Sequence, residues 1–80
     1  MWKQKLVLDE GETLRFESRR EKGHLGQEEV ELYSVLNVNG HVIGEVQYID
    51  HTSTKAPFRK SFHLVQRKGD KTLLDERWEN

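Results

Sequence analysis

The sequence predicts an all-β fold: a six-stranded antiparallel meander of three hairpins, curled into a small barrel or half-barrel. Three observations carry this. Short runs rich in Val, Leu, Phe and Tyr alternate with polar residues. The runs are punctuated by three turns that end in glycine: Asp9-Glu10-Gly11, Val38-Asn39-Gly40 and Arg67-Lys68-Gly69. Helix signals are poor, because the one polar window, Ser18 to Glu29, holds Gly23 and Gly26 and shows no 3.6-residue apolar period.

Each turn reads as a three-residue loop, a type I turn followed by glycine in the left-handed region. The glycines are evenly spaced, but their flanks are too dissimilar to make a repeat. Parity of the apolar residues then sets the register. A three-residue loop around Gly40 pairs Leu36 with Val42, Ser34 with Gly44, Leu32 with Val46 and Val30 with Tyr48. One face becomes wholly apolar or small, whereas a two-residue Asn39-Gly40 turn leaves both faces mixed. The same rule pairs Leu6 with Leu14 and Gln4 with Phe16. It also pairs Leu64 with Thr72, Phe62 with Leu74 and Phe58 with Trp78, in preference to a Gly69-Asp70 type II′ turn that would set Phe62 against Arg77 and Leu64 against Asp75.

The expected strands therefore lie near 2–8, 12–19, 28–37, 41–50, 57–66 and 70–78, within one domain spanning 1–80. The expected core is Trp2, Leu6, Leu8, Leu14, Phe16, Val30, Leu32, Leu36, Val42, Val46, Tyr48, Phe58, Phe62, Leu64, Leu74 and Trp78. A twisted sheet with one apolar face must hide it, by curling within one chain or by pairing two chains into a sandwich.

The chosen register turns Tyr33, Val35, Ile43 and Ile49 outward, among Glu29, Glu31, Glu45 and Gln47. A solvated strand face has no need of such residues. The sequence offers the 20–28 loop with Leu25 as a lid over them, ordinary surface scatter, or an interface with another chain. The interface reading makes Tyr33, Val35, Ile43 and Ile49 the candidate interaction residues, with self-association included.

Charge divides along the chain. Residues 23–54 contain no Lys or Arg, whereas residues 55–71 carry six cations against Asp70 alone. Pairing of an acidic hairpin with a basic neighbour explains this within one chain. The alternative is a weak, sequence-tolerant nucleic-acid surface built from segments 15–22 and 55–71. Its candidate contacts are Arg15, Arg19, Arg20, Lys22, Lys55, Arg59, Lys60, Arg67, Lys68 and Lys71. Stacking aromatics are missing from that surface, since Phe16, Phe58 and Phe62 fall on the expected core face.

Other chemistry is not signalled. Asp50-His51-Thr52-Ser53 holds an acid, an imidazole and a hydroxyl in adjacent positions, not the converging positions a nucleophilic triad requires; these side chains close turns more readily. His24, His41, His51 and His63 match no metal-ligand spacing, no cysteine is present, and no glycine loop cradles phosphate. No cofactor or metal is expected. The sequence reads as a non-enzymatic protein–protein interaction module in a cytoplasmic setting, with no segment apolar enough for a signal peptide or a membrane span.

Overall fold

The computed structural model describes residues 2–23 and 26–79. The chain is all-β, as expected, but with five strands: β1 (Thr13–Gly23), β2 (Gly26–Leu36), β3 (Val42–Ser53), β4 (Lys60–Lys68) and β5 (Lys71–Glu79). They form one antiparallel meander in the order β1-β2-β3-β4-β5, which does not close into a barrel. Among the described residues, no helix is long and apolar enough to cross a membrane.

The sixth expected strand, residues 2–8, is absent. Trp2–Lys5 forms a 3-10 turn instead, closed by the Leu6 N–H donating to the Lys3 carbonyl at 3.3 Å. Trp2 and Leu6 are four residues apart, a spacing that suits one face of a helical turn as well as one face of a strand. The turn lets both side chains drop together onto the sheet. Residues 2–8 thus run as a strap across one face, which we call the strapped face.

Gln66 fixes the strap. Its side chain is 1% exposed. Its Nε2 donates to the Val7 carbonyl at 2.7 Å, and its Oε1 accepts from the Val7 N–H at 2.8 Å. The amide therefore pairs with both backbone groups of one residue, as a neighbouring strand would. Trp2 stacks on Tyr48 at 4.7 Å between ring centroids and tilts against Tyr33 at 5.3 Å. Lys5 pairs with Glu76 at 3.1 Å and lies 5.0 Å above the Trp78 ring. Lys68 holds the following turn through Glu12 at 3.3 Å and Asp9 at 3.7 Å.

Beneath the strap lies a small core of Tyr33, Val35, Val46 and Leu64, packed against Trp2, Leu6, Leu14, Ile43, Tyr48, Leu74 and Trp78. Continuing from Trp2, the rings of Tyr48, Phe62 and Trp78 form a stacked row, with centroids 6.2 and 5.5 Å apart.

The middle hairpin holds the main correction to the sequence reading. The turn itself is as expected: Gly40 adopts φ +83°, its N–H donates to the Asn37 carbonyl, and Leu36 faces Val42. One residue later a bulge at Ile43 shifts the register, so Val35, not Ser34, faces Gly44. Tyr33 then faces Val46, Leu32 faces Gln47 and Val30 faces Ile49. The slip exchanges the faces of β2. Tyr33 (9% exposed) and Val35 (3%) enter the core, and Leu32 leaves it. Gly44 permits the arrangement, because a Cβ there would lie 2.5 Å from the Arg67 carbonyl oxygen.

The last hairpin keeps the expected facing of Phe62 and Leu64 but not the expected turn: with Lys68 opposite Lys71, a two-residue Gly69-Asp70 connection replaces the three-residue loop ending in Gly69, and the pairing slides. Phe62 faces Trp78 and Gln66 faces Leu74, across a bulge between Gln66 and Arg67 and a tight Gly69-Asp70 connection. Phe58 has no strand partner; it sits at φ 59° in the turn before β4 and is 60% exposed. Leu8, Phe16 and Val42 of the expected core are also exposed, at 39%, 55% and 57%.

Gln66 supplies the first test. Gln66→Leu keeps the bulk and strips Val7 of both partners, which costs about 2 kcal/mol because the freed groups are only partly hydrated. Urea unfolding followed by tryptophan fluorescence reads this loss. Gln66→Glu places an acceptor against the Val7 carbonyl. It should be the more damaging change at neutral pH and recover in acid, where the protonated carboxyl again donates.

The tyrosines supply a second. The Tyr33 hydroxyl donates to the Glu31 carboxylate at 2.7 Å. Burial and then that carboxylate push its pKa from 10.0 up to about 12. The Tyr48 pKa is raised by burial and by the negative field of Asp50, Glu31 and Glu29. A raised phenol favours the neutral folded form, so its stabilisation is complete below pH 10.0 and disappears as pH rises through the folded pKa. Absorbance titration of the folded chain should show no phenolate step at pH 10.0, while the urea-unfolded chain titrates both tyrosines there. A full tyrosine ionising at 10 in the folded state would contradict the strapped core.

Candidate interaction surface

The opposite face of the sheet follows from the register. Its first row runs Arg15, Ser34, Glu45 and Arg67 across β1 to β4. The second runs Ser18, Leu32, Gln47, Val65 and Asp75, and the third Arg20, Val30, Ile49, His63 and Arg77. The fourth runs Lys22, Glu28, His51, Ser61 and Glu79. Glu17, at the bulge between Phe16 and Ser18, also reaches this side, because its carboxylate bonds Ser34 and Arg15.

The two central rows thus have an apolar middle of Val30, Leu32, Ile49 and Val65, and charged ends. Val30 is 8% exposed, whereas Leu32, Ile49 and Val65 are half-buried. The strap lies on the other side of the sheet from these residues. Two adjoining depressions occupy the face. One, of about 500 Å³, is lined by Leu32, Gln47, Val65 and charged neighbours. The other, of about 620 Å³, is lined by Ile49, His51, His63 and Arg77 among others. We call this the open face.

Its charges are ordered in pairs. His63 Nε2 lies 2.7 Å from Asp75 Oδ1, and His51 Nδ1 lies 3.5 Å from Glu28 Oε2. Glu17 is held below the usual carboxylate range by hydrogen bonds from Ser34 and then Arg15. Among the described residues, no group of three or more His, Asp or Glu side chains is placed to hold a metal ion.

The four candidate interaction residues do not share one surface. Tyr33 and Val35 are core beneath the strap, Ile43 packs partly buried against that core, and Ile49 alone lies on the open face. The sequence reading does not place Leu32 and Val65 on this face, nor the buried Val30 between its neighbours there. Val30 and Leu32 carried the right signal, an apolar parity in β2, but were assigned to the wrong face. Leu25, the expected lid, lies outside the described residues, as does His24; most of 20–28 belongs to β1 and β2.

The candidate nucleic-acid residues scatter likewise. Arg15, Arg20, Lys22 and Arg67 lie on the open face, interleaved with carboxylates. Arg19 pairs with Glu29 at 2.7 Å, Lys60 with Asp50 at 3.4 Å, and Lys68 with Glu12 and Asp9. Lys55 and Arg59 sit in the turn before β4, and Lys71 opens β5. These cations converge on no single stripe. Comparison with protein-family models, with curated proteins and with solved structures returned no match.

Proposed function

We propose that the protein is a non-enzymatic protein–protein interaction module that works through the open face of its sheet, in a cytoplasmic setting. The observation that supports this most directly is asymmetric cover. Among the described residues, the strap lies over the strapped face, while Leu32, Ile49 and Val65 are half-exposed on the other. Contiguous apolar area rimmed by charge suits a protein partner. A nucleic-acid strand would want cations without interleaved carboxylates, and base-stacking aromatics beside them.

Gln47 marks the centre of the open face, on the middle strand of the five. A photoreactive benzoyl-phenylalanine at position 47 should capture protein in cells that express the chain, while the same group at Asn39, on the exposed loop tip, should not. Capture of nucleic acid at 47, or of nothing, would contradict the reading. Labelled oligonucleotides at low and high salt give the complementary check, with no binding expected at either.

A further inference from the structure

We infer that the occupant of the open face is a second copy of this chain, packed face to face across a two-fold axis into a two-layer, ten-stranded sandwich. This deepens the interaction reading and rests on it.

Area is the first argument. The chain exposes 5963 Å², with extents of 47 × 22 × 20 Å. A compact monomer of 9.5 kDa exposes only about 5,000 Å². The excess, about 900 Å², is close to the roughly 800 Å² that one partner contributes to a standard interface.

Charge is the second. The open face carries five cations and five carboxylates, counted over its four rows and Glu17. A surface with no net sign, in which opposite charges alternate around an apolar middle, has the composition of a partner for itself. An isologous interface requires that self-complementarity.

Symmetry then selects the docking. A two-fold axis parallel to the strands would set Arg20 over Arg77 of the other copy, and Glu45 over its own counterpart. An axis across the strands, passing over Tyr48, exchanges the second row with the third and the first with the fourth. Leu32 then lies over Val30, Val65 over His63, Asp75 over Arg77, and Glu45 over His51. In the central rows Leu32 meets Val30 and Asp75 meets Arg77, while Val65 and Ile49 meet His63 and Gln47, and the only like-charged facing, Arg15 with Lys22, falls at the rim of β1. The second axis leaves fewer like-charged facings than the first and sets Asp75 against Arg77, at the usual sheet separation of about 10 Å.

Asp75 and Arg77 carry the test, because both are exposed on the edge strand β5 and neither supports the core. Sedimentation over a range of concentrations should give wild type at twice the 9.5 kDa chain mass. Asp75→Arg and Arg77→Asp should each weaken the dimer at least about tenfold, by facing like charges across the axis. The double swap Asp75→Arg/Arg77→Asp should restore it, since both exchanged pairs are complementary again. Circular dichroism verifies that each variant is folded. A strictly monomeric wild type would overturn the inference, and position-47 capture of a different protein would then leave the interaction reading standing. A dimer that ignores the single reversals, or that the double swap fails to rescue, would overturn the proposed axis and with it the face-to-face pairing.

Discussion

The fold depends on two hydrogen bonds between one buried side chain and one backbone residue, Gln66 to Val7. The sheet has apolar residues on both faces, and the chain has one short segment to cover them. Whichever face holds the strap becomes core. A buried amide is costly unless both its ends are paired, so Gln66 admits one strap position and penalises the rest. Leucine there would add apolar burial but would fix no register for the strap. Trp2, Leu6 and Lys5 supply area and cover, while Gln66 supplies the position.

The sequence made the positions of the turns legible, but not the length of the last one, and it hid the bulges. Gly11, Gly40 and Gly69 all adopt positive φ, at 84°, 83° and 60°, where a Cβ is penalised, and that requirement is written in the residue type. Every strand from β1 to β5 overlaps its expected span. Parity failed in the middle because β2 is apolar on both sides: Val30, Leu32 and Leu36 on one, Tyr33 and Val35 on the other. Such a strand does not declare its face. The shifts in three of the four hairpins, between Phe16 and Ser18, at Val35/Leu36 and at Gln66/Arg67, each add a residue to one strand only. Nothing in an alternating pattern announces an inserted residue. Gly44 is the exception, a mid-strand glycine that marks close backbone approach.

The candidate surface was legible in kind but not in membership. The sequence puts an apolar patch among carboxylates on the outer face of the middle hairpin; the open face has an apolar middle, but its rim mixes cations with carboxylates. That middle is built on Ile49 with Val30, Leu32 and Val65, because the Ile43 bulge moved Tyr33 and Val35 under the strap. The sheet edges are poor competitors as contact sites. β1 presents Arg15, Glu17, Arg19, Arg20, Glu21 and Lys22 around its bulge, and β5 presents Lys71, Asp75, Glu76, Arg77 and Glu79. Charged, bulged edges resist strand addition. Both edges of the sheet are thus poorly suited to strand addition.

The most direct test of this account is amide hydrogen exchange at Val7. If Gln66 fixes the strap, the Val7 N–H should exchange slowly, protected in common with strand amides of the core such as Val46 and Leu64, although half of the Val7 surface is exposed. Exchange at the rate of an unstructured chain end would mean that the strap is not held. The distinction between a strapped and an open face would then fall with it.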